Sequence, residues 1–291
     1  MRARRFDEAF LRKLEYLSIV ARRVFGGGLR ADRRSRKVGA GIEFADHRDY
    51  AAGDDLRYVD WSVYARLERL LLRLFEQEED LHVYVLIDVS ASMATAGKLD
   101  QATRIAAALA YVGLANLDRV SIVPLASDVV PAARPSRGRN NVVPMLKMLE
   151  SIEARGTTSL AASIDAFVRR APRPGLVVLI SDFYDSDGYA TAIDQLRYRR
   201  FEPTAIHVWS AKEAEPDLLG DVELQDVESG ETRELTVDED MLAAYRAAHR
   251  ALTEGLEHHC ATRGVAYVRA DVDVPFEDTV LHLFRRQGVL A

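Results

Sequence analysis

Asp88, Ser90 and Ser92 place three oxygen-bearing side chains at every second position of one short segment. They follow an apolar run at residues 85–87, which predicts the end of a buried strand. Because side chains alternate along a strand with a period of two, all three can turn to the same side where the chain leaves the sheet. One carboxylate and two hydroxyls form an all-oxygen donor set that suits Mg²⁺, which keeps several waters and takes few protein carboxylates.

Two further segments carry oxygen donors that can reach the same place. Thr158 lies in a Gly-Thr-Thr loop that opens a predicted helix, and Asp182 follows a second apolar run at residues 176–180. Each segment alone is common in other roles, since Ser and Asp also cap helices and form turns. In an open parallel sheet, however, ligands bind at the carboxyl ends of the strands. The three segments together predict a divalent-metal site that draws on Asp88, Ser90, Ser92, the hydroxyls of the Thr157-Thr158-Ser159 loop and Asp182.

The elements that must position these residues form a regular pattern from residue 80 onward. Continuous apolar runs alternate with amphipathic segments, which predicts an α/β fold with a doubly wound, mostly parallel, Rossmann-like sheet. The runs at 222–224 and 232–237 flank Ser229-Gly230 and predict a β-hairpin insertion. We expect residues 80–291 to form this main domain. Residues 1–79 should form an extension that packs on it, with a helix over 6–25, a basic loop over 29–37 and a short mixed segment.

Composition limits the location and the partners. The chain has 291 residues and a single cysteine, Cys260, so an internal disulfide is impossible and a reducing compartment fits. No apolar stretch is long enough to span a membrane, and no signal peptide follows the N-terminal arginines, so we predict a cytoplasmic protein.

Charge is unevenly distributed along the chain. The net charge is −6, and the first 40 residues carry twelve basic and four acidic side chains, which leaves the remainder strongly acidic. Such a basic arm can bind nucleic acid or an anionic membrane surface, or it can fold onto the acidic body of its own chain. We favour the last interpretation and expect no nucleic acid, because the arm lacks interleaved aromatics and any nucleic-acid motif.

The spaced residues Asp88-x-Ser90-x-Ser92, then Thr158, then Asp182, resemble the metal-ion-dependent adhesion site of von Willebrand factor A domains, over roughly residues 80–270. The resemblance implies that the first Asp and the two Ser contact the ion directly or through water. It also implies that the Thr joins directly or through water, depending on the state, and that the second Asp acts through water. Such a site is short of negative charge, so an Asp or Glu of a partner protein can complete the coordination. Mg²⁺ is the expected ion, with Mn²⁺ or Ca²⁺ as alternatives.

The segment before this domain resembles the signature of the bacterial domain-of-unknown-function 58 family, whose members join it to an A-type domain. The matching residues are Gly41-Ile42-Glu43-Phe44, Arg48-Asp49-Tyr50, Gly53-Asp54-Asp55, Arg57, Asp60-Trp61 and Ala65-Arg66. The resemblance implies a metal-dependent protein-interaction module, not an enzyme. It implies a role as adaptor or co-chaperone of a MoxR-type AAA+ ATPase, with a client protein that supplies an acidic residue. Unlike many members, this chain shows no transmembrane helix, so the resemblance does not extend to a membrane role.

The signature residues allow two interpretations. The close spacing of Arg48, Asp54, Asp55, Arg57 and Asp60 favours a structural salt-bridge network over a direct contact with a partner ATPase. In the simplest interpretation, the two aromatic residues Tyr50 and Trp61 anchor a small core.

An enzymatic function is the main alternative. Asp88 at a strand end can act as the nucleophile of a Mg²⁺-dependent phosphohydrolase. Haloacid-dehalogenase-type hydrolases carry a second Asp two residues further on, where this chain has Ser90. A zinc site at His258-His259-Cys260 is disfavoured, because adjacent residues on a helix point apart.

Overall fold

The computed structural model describes residues 6–25, 34–38, 43–78, 81–125, 135–157, 159–171, 173–185 and 188–289. The chain divides into two compact units. The larger unit contains Met1–Ala21 and Leu81–Leu290, and the smaller unit contains Arg22–Asp80. The domain boundary expected between residues 79 and 80 stays a prediction. Residues Met1–Ala21, which the prediction placed before that boundary, belong to the larger unit.

The described residues form the following strands and α-helices. The strands are β1 (Arg34–Val38), β2 (Glu43–Asp49), β3 (Leu71–Glu78), β4 (His82–Asp88), β5 (Arg119–Leu125), β6 (Leu176–Ser181), β7 (Glu202–Trp209), β8 (Gly220–Gln225), β9 (Thr232–Val237) and β10 (Ala266–Asp271). The α-helices are α1 (Glu8–Phe25), α2 (Trp61–Leu67), α3 (Lys98–Ala115), α4 (Val142–Glu150), α5 (Leu160–Arg170), α6 (Tyr189–Tyr198), α7 (Ala211–Ala214), α8 (Glu239–Thr262) and α9 (Phe276–Val289).

The larger unit is built on a five-stranded sheet with the order β10-β7-β6-β4-β5, and its neighbouring strands pair in parallel. All residues of β4 are buried, as expected for a central strand of a sheet that helices cover on both faces. The chain order reverses at β4, because β5 lies on one side of it and β6 on the other. This is a doubly wound arrangement with its switch point between β4 and β6. The fold class predicted from the sequence is therefore confirmed.

Helices bury the apolar side chains of this sheet. Nearly all residues of α3 are buried. A second cluster joins the sheet to α5, α6 and α8 through Leu86, Leu179, Ile164, Ile193 and Leu256, each at most 1% exposed. The predicted insertion is also present, since β8 and β9 form an antiparallel hairpin of their own. Gly230 in its turn has φ +75°, a conformation that favours glycine.

The first helix packs within the larger unit. The apolar positions that predicted it are all buried, namely Phe10, Leu14, Leu17 and Ala21. The ring of Phe10 lies 4.9 Å from that of Phe276 in α9, and Lys13 Nζ lies 2.5 Å from a carboxylate oxygen of Glu277. The amphipathic helix expected over residues 6–25 is confirmed, and its basic side chain pairs with an acidic residue of its own chain.

The smaller unit contains a three-stranded antiparallel sheet with the order β1-β3-β2. The prediction of a basic loop over 29–37 is wrong for residues 34–37, because Arg34–Val38 is a strand. Residues 29–33 lie outside the described part of the chain. The sequence Arg-Ser-Arg-Lys-Val has no apolar alternation, so its own pattern predicts no strand. Its register sets Arg34 opposite Glu78 and Arg36 opposite Glu76, and this partner strand is distant in sequence.

The signature residues form separate local ion pairs. Arg48 Nη2 lies 2.9 and 3.0 Å from the two carboxylate oxygens of Asp54, and Arg57 Nη2 lies 2.6 Å from Asp55 Oδ2. Asp60 caps α2, where its side chain accepts hydrogen bonds from two backbone amides, and its Oδ2 lies 3.1 Å from His47 Nε2. These pairs agree with a structural role for Arg48, Asp54, Asp55 and Arg57, while the choice between that role and a contact with a partner ATPase stays a prediction. Gly41-Ile42 of the signature lies outside the described residues.

Trp61 does not anchor a core, which corrects the interpretation made from the sequence. It is 54% exposed and begins a helix of seven residues that buries none of them. Tyr50 is half-buried. An aromatic residue in a polar segment predicts a local core only when a neighbouring element covers it. Among the described residues, Trp61 has a ring contact with Tyr64 of its own helix and stays more than half exposed.

In the described part of the chain, no helix is both long and apolar enough to cross a membrane.

Candidate functional site

Asp88 ends β4 at the carboxyl edge of the sheet, beside the switch point, and it is 3% exposed. Its Oδ1 accepts a hydrogen bond of 2.9 Å from the backbone N–H of Ser90, which turns the chain sharply away from the strand. Its Oδ2 accepts a bond of 2.6 Å from the hydroxyl of Ser181, at the end of β6. Both strands that flank the switch point therefore hold this carboxylate in place.

Ser90 and Ser92 point to the same place, as their spacing predicted. They are 1% and 9% exposed, and their hydroxyl oxygens are 2.9 Å apart. Adjacent ligands of an octahedral Mg²⁺, each about 2.0–2.1 Å from the ion, are separated by roughly 2.9 Å. The two hydroxyls thus already have the spacing of neighbouring ligands of such an ion.

Asp182 follows β6 and is 1% exposed. Its Oδ2 accepts a hydrogen bond of 2.7 Å from the ammonium group of Lys98, and its Oδ1 accepts one of 3.2 Å from the backbone N–H of Tyr184. The structure thus brings Asp182 to the same edge of the sheet as Asp88. The two carboxylates are close enough for the charge of one to act on the other.

Sequence reasoning missed the partners of Asp182. Lys98 begins α3 and is 1% exposed, and its Nζ also lies 2.9 Å from Glu213 Oε1. That same Glu213 oxygen accepts a bond of 2.6 Å from Thr95, and the hydroxyl of Thr95 lies 2.8 Å from the backbone oxygen of Ser92. Glu213 follows the end of β7, so the rule that ligands bind at strand ends could have identified it from the sequence. No comparable feature of the sequence identifies Lys98 as a buried residue of the site.

Thr158 lies outside the described residues, but its neighbours in sequence are tied to the site. The N–H of Ala91 donates to the backbone oxygen of Gly156 at 2.9 Å, and the N–H of Arg155 donates to that of Val89 at 2.7 Å. On the other side, the N–H of Leu160 donates to Asp185 Oδ2 at 2.7 Å. The segments on both sides of Thr158 are therefore bound to the loops that carry Asp88 and Asp182.

The electrostatics of the site fit a hard divalent cation. Burial raises the pKa of Asp88, and the negative charge of Asp182 raises it further. Lys98 brings one positive charge to a cluster that contains Asp88, Asp182 and Glu213. A cation beside Asp88 would offset the remaining negative charge, and the oxygen donors present are those that Mg²⁺ prefers.

Buried polar atoms and backbone strain surround the site. Glu213 Oε2, Ser210 Oγ and His207 Nε2 are buried without a hydrogen-bond partner in the structure. Phe183, directly after Asp182, is fully buried with φ 58°, a left-handed conformation that is unusual for a bulky residue. The N–H of Phe183 donates to the hydroxyl oxygen of Ser181, which helps to hold this strained turn. Strain of this kind is concentrated at functional sites.

The arrangement of these oxygen atoms is suited to holding an ion. Both oxygens of Asp88 accept hydrogen bonds from neighbours, and the carboxylate is buried. Among the described residues, no group of three or more His, Cys, Asp or Glu side chains is arranged to hold a metal. Hydroxyl oxygens would therefore have to supply much of any coordination here. At 258–260, Cys260 is buried and His258 is exposed, so the two point apart as expected.

A doubly wound sheet with a buried oxygen cluster at its switch point defines a class of α/β domain that binds its ligand at the carboxyl edge. The family model described as Protein of unknown function DUF58 matches residues 46–255, and the chain belongs to this family. This confirms the family resemblance inferred from the signature residues.

Relatives of similar length occur in mycobacteria. An uncharacterized protein of Mycobacterium tuberculosis is 30% identical over 298 residues, which cover 98% of this chain and 92% of the relative. An uncharacterized protein of Mycobacterium bovis matches with the same values.

Two solved structures from Bacteroides species are also similar. The conserved hypothetical protein BatB of Bacteroides thetaiotaomicron is 16% identical with a TM-score of 0.44, and the match covers 72% of this chain and 100% of that one. An aerotolerance-related membrane protein of Bacteroides fragilis is 17% identical with a TM-score of 0.42, at the same coverages.

Proposed function

We propose that this protein is a metal-dependent protein-interaction module. In this proposal Asp88, Ser90 and Ser92 hold one Mg²⁺, with Mn²⁺ or Ca²⁺ as substitutes, and Thr158 and Asp182 complete the site directly or through water. The observation that carries the proposal is the pair of buried serine hydroxyls, 2.9 Å apart beside Asp88 at the switch point of the sheet.

The charge distribution supports an open position on the ion. Lys98 already binds Asp182, so Asp88 is the main anion available for direct coordination. An ion held by one carboxylate and two neutral hydroxyls keeps much of its positive charge. It would therefore attract an additional carboxylate, and an Asp or Glu of a partner protein supplies that group.

The partner in this proposal is a MoxR-type AAA+ ATPase, for which the protein acts as adaptor or co-chaperone toward a client protein. Membership of the DUF58 family supports this choice through the association that the family resemblance implies. A protein partner also agrees with a site whose described oxygen donors are buried and suited to binding an ion.

Metal binding is tested first, by titrating the full chain with Mn²⁺ and following the electron paramagnetic resonance signal of the free ion. We expect one site that Asp88→Ala and Ser92→Ala both weaken strongly. The matched control is Asp100→Ala, which removes a half-exposed aspartate that pairs with Arg104 on α3. Equal Mn²⁺ binding by wild-type protein and Asp88→Ala would rule out this site.

Partner binding is tested with immobilised protein and a purified MoxR-type ATPase from the same organism. We expect binding in Mg²⁺, loss in EDTA, and recovery when Mg²⁺ is restored. Asp88→Ala should abolish binding while Asp100→Ala retains it. Binding that is indifferent to EDTA and to Asp88→Ala would show that the interaction does not use the metal.

A further inference from the structure

Two routes of hydrogen bonds join the buried ammonium group of Lys98 to the candidate metal site. On the first route, Lys98 Nζ donates a bond of 2.7 Å to Asp182 Oδ2. The residue directly before this aspartate, Ser181, donates from its hydroxyl to Asp88 Oδ2 at 2.6 Å. The carboxylate that Lys98 binds is therefore next in the chain to a residue that holds Asp88.

The second route runs through Glu213 and ends at Ser92. Lys98 Nζ lies 2.9 Å from Glu213 Oε1, and the same oxygen accepts a hydrogen bond of 2.6 Å from the hydroxyl of Thr95. That hydroxyl also lies 2.8 Å from the backbone oxygen of Ser92. Because the two routes start at one ammonium group and reach both ends of the segment 88–92, Lys98 and Glu213 belong to the surroundings of the proposed ion.

Glu213 makes these contacts instead of capping its own helix. Ser210 and Glu213 have the spacing of a capping box, in which each side chain bonds the backbone amide of the other residue. Ser210 makes no side-chain cap bond, and its Oγ is buried without a hydrogen-bond partner in the structure. Glu213 Oε2 is likewise buried without a partner, while Oε1 is bound to Lys98 and Thr95. Proteins give up such local interactions mainly at functional sites.

The ammonium group of Lys98 is held in place from several sides. Lys98 is 1% exposed, and its Nζ lies 5.0 Å from the ring centre of Tyr184, within the range of a cation–π contact. Asp182 is bound at both of its oxygens, since Oδ1 accepts a hydrogen bond of 3.2 Å from the N–H of Tyr184. Lys98 thus occupies one oxygen of Asp182 and one of Glu213 that a metal ion could otherwise bind.

The number of carboxylates at a site influences which divalent ion binds there. Ca²⁺ takes about six to eight oxygen ligands, and its affinity rises with their charge, whereas Mg²⁺ keeps several waters and uses one or two carboxylates. With Asp182 and Glu213 bound to Lys98, Asp88 is the carboxylate that remains for direct coordination. Such a site matches Mg²⁺ better than Ca²⁺.

We infer that Lys98 determines the ion preference of the site: it holds Asp182 and Glu213 away from the ion, so that few carboxylates coordinate it and Mg²⁺ binds in preference to Ca²⁺. The inference rests on the metal site proposed above, and it names the residue that makes this site selective. Lys98 is a positioning residue, because it acts on the ion through the two carboxylates. The bound ion then keeps positive charge for the carboxylate of a partner.

Competition of Mg²⁺ and Ca²⁺ against Mn²⁺ tests the inference in the full chain, with the electron paramagnetic resonance signal of free Mn²⁺ as the readout. Lys98→Met releases two carboxylates, so all three ions should bind more tightly. Ca²⁺ should gain at least about tenfold over Mg²⁺, because its affinity follows the charge of the ligands. A lysine that only supported the fold would give the opposite result, since its loss would weaken the binding of every ion.

The matched control is Lys212→Met, which removes the same charge from an exposed position beside Glu213. It should keep the affinities and the ion preference of the wild type.

Glu213→Gln changes the charge of the site in the opposite direction. Lys98 then has one neutralising carboxylate fewer and repels the ion more strongly. Mn²⁺ should therefore bind about tenfold more weakly, a loss typical of groups that support metal ligands. Glu215→Gln makes the same change at an exposed position and should bind Mn²⁺ as the wild type does. Wild-type affinity in Glu213→Gln would contradict the inference.

A double variant, Lys98→Met with Glu213→Gln, keeps the test decisive if Lys98→Met does not fold. It removes both members of an ion pair, which costs less stability than the loss of one member. The net charge of the site stays as in the wild type, and Asp182 alone is released. The preference should still shift toward Ca²⁺, and an unchanged preference would overturn the inference.

The outcomes separate this inference from the proposed function. If the wild type binds Mn²⁺ and Asp88→Ala does not, but Lys98→Met binds the ions more weakly or with the wild-type preference, the metal site stands and the role of Lys98 is excluded. If the wild type binds no Mn²⁺, both proposals fail. Equal shifts in Lys98→Met and Lys212→Met would assign the effect to general charge and also exclude a specific role.

Discussion

Lys98 is the residue on which the charge balance of the site depends. Its ammonium group is fully buried between Asp182 and Glu213. Removing one partner of a buried ion pair leaves an uncompensated charge, so Lys98→Met should lower the free energy of unfolding by about 3–5 kcal/mol. Urea denaturation measures this change.

The control for that prediction is Lys147→Met, which replaces an exposed lysine on α4. It should change stability by less than about 0.5 kcal/mol. If the two variants lose equal stability, the buried contacts of Lys98 do not stabilise the fold.

His207 gives the fold a dependence on pH. Burial is the main cause that lowers the pKa of His207 from 6.5 to about 4. Below pH 6.5 the unfolded chain therefore binds a proton that the folded chain does not, so stability falls as the pH falls toward 4. Between pH 7 and pH 5 this residue should remove about 2 kcal/mol from the free energy of unfolding.

Chemical denaturation at a series of pH values measures this effect. Other acidic groups titrate in the same range, so the contribution of His207 is the difference between the wild type and His207→Gln. His258→Gln replaces an exposed histidine of α8, and its free energy of unfolding should change with pH as that of the wild type does. If the free energy of unfolding depends on pH as steeply in His207→Gln as in the wild type, the prediction is contradicted.

The sequence predicted the oxygen donors that follow apolar strands, both the neighbours Asp88, Ser90 and Ser92 and the distant Asp182. Asp88, Ser90 and Ser92 belong to one segment, and the turn that follows β4 brings their side chains together. Lys98 lies 84 positions before Asp182, so their contact depends on how α3 packs beside β6. No local pattern encodes a contact of that kind.

At the scale of elements, Gly175 allows β4 and β6 to lie close together at their N-terminal ends. A Cβ atom at this position would lie 2.3 Å from the backbone oxygen of His82. Backbone cannot move aside as a side chain can, so Gly175→Ala should lower stability by about 1–3 kcal/mol. It should also weaken Mn²⁺ binding, because these two strands carry Asp88 and Asp182 at their ends.

Gly255→Ala is the matched control for that change. Its added Cβ would meet only the hydroxyl of Tyr189, at 2.9 Å, which is the far end of a side chain. Alanine also favours the helix by up to about 1 kcal/mol, so this variant should keep or gain stability. If both variants behave alike in thermal denaturation, the contact with His82 is not the cause.

Elements with a strong internal pattern were predictable, whereas elements that depend on a distant partner were not. The apolar runs of β4 and β6 and the periodicity of α1 identified these elements from the sequence alone. The strand at Arg34–Val38 has only polar and basic residues before its last position, and it exists because β3 pairs with it.

At the scale of the whole molecule, the start of the chain helps to stabilise the unit that carries the site. Leu14 on α1 is fully buried, whereas Leu11 on the same helix is 38% exposed. Leu14→Ala should lower the free energy of unfolding by about 2–5 kcal/mol, the range for a buried leucine. Leu11→Ala should change it by less than about 0.5 kcal/mol.

Thermal denaturation followed by circular dichroism compares the two leucine variants with the wild type. A small loss in Leu14→Ala, similar to that in Leu11→Ala, would mean that α1 contributes little to the larger unit.

The contact between Phe10 and Phe276 also has a consequence for biosynthesis. Ribosomes release the N-terminus first, at about 5–20 residues per second, so α1 is complete many seconds before α9 exists. During that interval Phe10 cannot form its contact with Phe276. The aromatic contact that joins α1 to α9 is therefore among the later tertiary contacts that a newly made chain can form.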